Sequence, residues 1–165
     1  PSIKLENKGH QIGTELTHII TNYDSLADVT FFTHGSFNYR NDQLIKENGM
    51  CHRYFEDFVS YSPNTLVYIP RNDLPNTNDK IYDYNMTMGE VYEFLFGTPY
   101  IRNFDWACGK WISVSKEKIR NKPKEFYVKM LDFVLSDYEG ETPRQNIYRT
   151  RDIYIERMIL QCFRC

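Results

Sequence analysis

The chain has 165 residues with 20 basic and 22 acidic side chains, a net charge of −2 and 16% aromatic residues. That length suits one domain, residues 1–165, burying roughly two thirds of its unfolded surface, so folding requires no disulfide scaffold. The near-neutral balance, without a long run of either sign, argues against the basic face of a nucleic-acid or anionic-membrane binder, and no stretch of about 18 apolar residues is present to span a bilayer.

In chain order, Asn7-Lys8-Gly9-His10 reads as a loop opening a helix. Ile12, Leu16, Ile19, Ile20 and Tyr23 form one apolar stripe at helical spacing, ending near Tyr23-Asp24-Ser25. Val29 to Thr33 is a short β-branched and aromatic run bounded by Gly35, the pattern of a strand covered on both faces. A helix leading directly into a buried strand predicts an α/β domain, with a central, mostly parallel sheet flanked by helices. Gly35 to Asn48 is a polar loop, and Tyr54, Phe55, Phe58 and Val59 predict a helix over Cys51 to Tyr61. Leu66 to Ile69 is a second strand stopped by Pro70, and Arg71 to Tyr84 is the longest loop.

Thr87 and Glu90 form a capping box that opens a short helix through Val91, Phe94 and Leu95, closed at Gly97. Thr98 to Lys110 reads as irregular, and Trp111 to Val114 as a third strand with Ser115 capping the next helix. Pro123 is tolerated in the first turn of a following helix whose buried stripe is Phe126, Met130, Phe133 and Val134. After a loop from Glu139 to Arg149, a last helix turns Ile155, Met158, Ile159, Cys162 and Phe163 inward.

Open α/β sheets bind ligands beyond the carboxyl ends of their strands, so His34-Gly35 is the first site candidate. His34 is either a general base or a donor to a phosphate or sugar oxygen, or it merely bonds a neighbouring loop. His10, His18 and His52 are weaker, with His18 on the polar side of its helix. No HxH, HExxH or paired CxxC offers converging ligands, so no metal site is expected. GxSxG, the P-loop and GxGxxG are likewise missing.

Asp105, Glu141, Asp152 and Glu156 are candidate bases, each set against a surface charge or structural ion pair. Asp105-Trp106 has the make-up of a sugar-contact pair, an acid beside an indole in a loop before a strand, and Gly109 allows close backbone approach before Lys110-Trp111. Tyrosine-rich surfaces also suit sugars, whose C–H faces stack on rings. Cys51, Cys108, Cys162 and Cys165 permit three disulfide pairings, and Cys162-x-x-Cys165 reads as a disulfide participant or a pair of terminal thiols. The even cysteine count and the sequon Asn85-Met86-Thr87 tilt toward a secreted glycoprotein. Proline at position 1 suggests a processed segment.

The blocks Asn7 to His10, Asn22 to Gly35, Gly109 to Ile119, Pro123 to Tyr127 and Ile155 to Met158 together resemble a fungal and algal family of domains of unknown function. Its sequence pattern looks like that of GT-A glycosyltransferases. The resemblance implies a nucleotide-sugar-dependent transferase fold with donor and acceptor at the carboxyl edge of the sheet. By position, Asn7, Lys8 and Gly9 would lie near the donor, His34 and Gly35 at the strand end, and Gly109 and Lys110 beside the acceptor. Glu156 would be a base or a structural partner of Arg157. Thr33-His34-Gly35 stands where such enzymes carry a metal-binding Asp-x-Asp, implying a metal-independent or disabled site. The family pattern has a further strand and helix upstream, so either that part is removed or donor binding is lost. The resulting expectation is a domain that transfers or binds a sugar, with a nucleotide sugar as donor and no other cofactor. The alternatives are a lectin on the same fold and a structural or assembly protein.

Overall fold

The structure, a computed structural model, describes residues 10–32, 62–70, 78, 85–100, 107–136 and 148–164. The first stripe folds as expected: α1, His10–Asn22, buries Ile12, Leu16 and Ile19 completely. A single 3-10 turn, Tyr23–Ser25, leads through buried Leu26 into β1, Val29–Phe32. Further along lie β2, Leu66–Pro70, and α2, Met88–Phe96. They are followed by β3, Ala107–Ser115, α3, Lys116–Arg120, α4, Lys124–Leu135, and α5, Tyr148–Phe163. The helix predicted over 51–61 lies outside the described residues.

Local chemistry sets the helix ends. Thr87 caps α2 in the predicted capping box, and Gly97 closes it in the left-handed conformation at φ 69°. Ser115 caps α3 by accepting the Lys118 N–H at 3.3 Å. Pro123 stands at the N-cap of α4 rather than within its first turn.

The described sheet has three strands in the order β1-β3-β2, and β3 is antiparallel to both neighbours. Val29 faces Ser115 and Phe32 faces Ile112 on one side, while Leu66 faces Val114 and Tyr68 faces Ile112 on the other. This corrects the expected central, mostly parallel, GT-A-like sheet. A short β-branched and aromatic run carries no direction for the neighbouring strand, and in β1 only Phe32 is buried. Here β1 and β2 do run the same way, but β3 lies between them in reverse.

Alternation along β3 divides the two faces. Ile112 and Val114 join the core, while Ser113 and Ser115 are buried on the other face, where Ser115 donates to the Pro63 carbonyl at 2.8 Å. The core face is covered by helices: α5 packs against β3, α1, α2, α3 and α4, and α1 packs along α4. A single apolar cluster results, with Leu16, Met88, Val114, Met130, Ile155 and Phe163 all at 0% exposure.

A bulged sheet edge as candidate functional site

Phe32, the last residue of β1, pairs with Ile112, and Pro70, the last of β2, pairs with Ala107, the first of β3. The carboxyl ends of β1 and β2 and the start of β3 therefore meet at one end of the sheet. The His18 ring of α1 meets Phe32 edge-on, 6.2 Å between centroids, so this part of α1 lies beside the end of β1.

Between the Tyr68–Ile112 and Pro70–Ala107 pairs the register breaks. On β2 only Ile69 fills the interval; on β3 it is Cys108, Gly109, Lys110 and Trp111. Four residues opposite one bow the strand outward, and bulges of this kind turn backbone groups out of the ladder and re-aim side chains. Gly109 and Lys110, expected in a loop, lie instead within β3, in its bulge. Proline cannot donate to a ladder, so its place at the end of an edge strand beside the bulge is the sterically and chemically permitted one.

Other predicted site residues are related to these elements only by chain order. Gly9 directly precedes α1, His34 follows Phe32 by two residues, and Trp106 directly precedes Ala107. Asn7, Lys8, Gly9, His34, Gly35, Asp105 and Trp106 all lie outside the described residues, as do Glu141, His52 and the predicted loop from Arg71 to Tyr84 apart from Asn78. Glu156 lies on α5, partly buried, one turn after Asp152, which is only 5% exposed. His18 is exposed, as expected, with Nδ1 at 3.4 Å from the Asn22 amide nitrogen.

A second buried carboxylate was not anticipated. Glu15 is 6% exposed and accepts a hydrogen bond from Gln11 Nε2 at 2.7 Å. Its signal was present in the sequence: Glu15 falls three residues after Ile12 and four before Ile19, on the apolar face of α1 rather than opposite it. Carboxylates are seldom buried without compensation, so Glu15 on α1 and Asp152 on α5 are two polar positions in otherwise apolar helix packing.

Cys162 is a free, fully buried thiol with Sγ 3.7 Å from Met130 Sδ, which corrects its expected part in a disulfide. Its side chain points into the helix layer, where burial pushes its pKa well above the usual thiol range despite the opposing influence of Lys122. Burial likewise raises the phenols of Tyr127, Tyr92 and Tyr23. Among the described residues no group of three His, Cys, Asp or Glu could hold a metal ion, and no helix is long and apolar enough to cross a membrane.

A model of a family described as protein of unknown function (DUF3431) matches residues 2–149. No curated protein and no solved structure matches the chain.

Proposed function

The chain belongs to the DUF3431 family, and from that premise we propose that it binds a sugar at the bulged edge of the sheet and transfers it from a nucleotide donor without a metal ion. The observation that carries this reading is the bulge at Gly109-Lys110, which frees backbone donors and acceptors for hydroxyl groups at the end where β1 and β2 finish. Gly109 permits close approach of a sugar ring, and Lys110 supplies a cation for a leaving diphosphate. Asp105 and Trp106, next in the chain, add an acid and a stacking surface. Asn7, Lys8 and Gly9, before α1, take the donor, and Gly35 leaves room beside His34. In this scheme His34 or Glu156 removes the acceptor hydroxyl proton as the hydroxyl attacks the anomeric carbon. Thr33-His34-Gly35 in place of an acid pair supports the metal-free version.

Calorimetry against UDP-, GDP- and CMP-sugars tests the proposal. We expect binding heat with one nucleotide class, weakened by Lys110→Ala in a variant whose thermal unfolding is unchanged. No heat with any donor overturns transfer.

The three described strands favour a second reading, since each pairs antiparallel, whereas nucleotide crevices usually open between parallel strands. A lectin would bind a glycan array and leave nucleotide sugars untouched. A structural or assembly protein would do neither and would form a stable oligomer. For location we propose the secretory pathway, on the sequon at Asn85; fractionation of the endogenous chain with cytosolic markers would overturn it.

A further inference from the structure

We infer that Asn85 is an N-glycosylation site open only while the chain is unfolded, because folding locks the rest of its recognition sequence into the cap of α2. Asn85-Met86-Thr87 is the one Asn-x-Ser/Thr sequence in the chain. Asn85 is exposed in a bend before α2, so a glycan attached there projects into solvent. The other two residues of the sequence are held in place, Met86 against the core and Thr87 in the exposed cap of α2. The Met86 carbonyl accepts the buried Tyr154 hydroxyl at 2.6 Å, and the Met86 side chain packs against the core. The Thr87 hydroxyl donates to Glu90 Oε2 at 2.9 Å and accepts the Glu90 N–H at 3.3 Å, while the Thr87 N–H donates to the same carboxylate at 2.7 Å.

The acceptor sequence is read through its third residue's hydroxyl as well as through asparagine. A hydroxyl has one proton to donate, and in the folded chain Glu90 takes it. Before α2 forms, both the hydroxyl and the backbone of the tripeptide are free. In the reaction the Asn85 amide nitrogen attacks the anomeric carbon of a lipid-diphosphate-linked oligosaccharide. A carbon–nitrogen bond forms and the carbon–oxygen bond to the diphosphate breaks. The lipid diphosphate leaves with that electron pair, and the amide nitrogen gives up one proton.

The proposal rests on the secretory location above, and its test separates the two. The full chain is secreted from eukaryotic cells behind an added leader, treated with a glycan-releasing amidase, and mapped by peptide mass spectrometry. We expect one glycan, with Asn85 converted to Asp on release. Modification is lost in Asn85→Gln and Thr87→Ala and kept in Thr87→Ser, which retains both the sequon and the cap. A secreted, folded chain with unmodified Asn85 overturns the site. For the timing, chain made in bacteria is offered, folded or freshly diluted from urea, to detergent-solubilised microsomal membranes with the lipid-linked donor, so that neither form has to cross a membrane. We expect the folded form to stay unmodified, and Glu90→Ala, which opens the cap but leaves the sequon intact, to recover modification. Equal modification of both forms overturns the closing of the site. An endogenous chain outside the secretory pathway would sink only the location.

Discussion

Tyr127 lies at 0% exposure on α4 and donates its hydroxyl to the Ile119 carbonyl at 2.7 Å. That carbonyl also receives the Lys122 N–H at 3.3 Å, so Tyr127→Phe does not orphan it. We therefore expect a loss of about 1 kcal/mol in urea unfolding, the net worth of a single hydrogen bond. The stripe read from sequence on this helix has Phe126 where Tyr127 is the fully buried ring; Phe126 is half-buried beneath Lys122. The hydroxyl makes Tyr127 look like a surface residue, and a backbone acceptor eight residues upstream is invisible to periodicity. Tyr127 and Cys162 also give stability a pH dependence with a definite sign. Both groups have raised pKa values in the folded state, chiefly through burial, so they stay neutral while their unfolded counterparts ionise. Their contribution is complete below the unfolded values, near 9.0 for the thiol and 10.0 for the phenol, and falls as pH rises above them. Each group costs about 1.4 kcal/mol per pH unit beyond that point. Urea midpoints measured from about pH 8 to 11 should decline, and Cys162→Ala should remove the part that begins at the lower pH. A flat alkaline limb in the parent chain would refute the assignment.

At the scale of elements, α2 was legible because its signals are local. Thr87, Glu90 and Gly97 fix both ends within the span of the helix itself. Thr87→Ala should cost about 1 kcal/mol and Thr87→Ser almost nothing, read as shifts in thermal unfolding. Gly97 has φ 69° and open space where a Cβ would stand, so Gly97→Ala meets only backbone strain, about 1 kcal/mol. An unchanged melting temperature there would show that the turn relaxes. The strand β3 was legible only in its second half. Trp111 to Val114 carry β-forming side chains, whereas Ala107, Cys108, Gly109 and Lys110 do not, and their strand geometry comes from pairing with Pro70, 37 positions earlier in the chain. The same gap hid the bulge: it consists of a mismatch between two strands, and neither strand alone contains it. Glu15 is the opposite case, a buried acid whose position on the apolar stripe was open to inspection.

Across the whole molecule, the pattern of apolar runs located the helical core but gave the wrong strand direction, a mostly parallel sheet where β3 is antiparallel to both neighbours. α1 and α5 bury the side chains that periodicity selected, Ile12, Leu16 and Ile19 on one, and Ile155, Met158 and Cys162 on the other. Strand direction depends instead on how long connections return to the sheet, which no local window contains. The antiparallel order has a consequence that a parallel sheet could not share. Phe31 and Ser113 are directly opposite partners, so their Cα atoms stand about 4.5–5.5 Å apart, within reach of a disulfide. Phe31 and Ser115 are diagonal, about 7–8 Å apart, too far for a bridge without backbone movement. The Phe31→Cys, Ser113→Cys variant should therefore oxidise to a 31–113 bridge, identified by peptide mapping without reductant. The Phe31→Cys, Ser115→Cys variant should keep its two new thiols free. In a parallel pairing of β1 with β3 a single shared register could not continue from Phe31 opposite Ser113 to Val29 opposite Ser115. A second double variant, Val29→Cys with Ser115→Cys, should bridge as well, and success of both opposite pairs with failure of the diagonal one would fix the direction. Bridging of the diagonal pair in preference would overturn the register, and with it the end of the sheet at which Gly109 and Lys110 are placed.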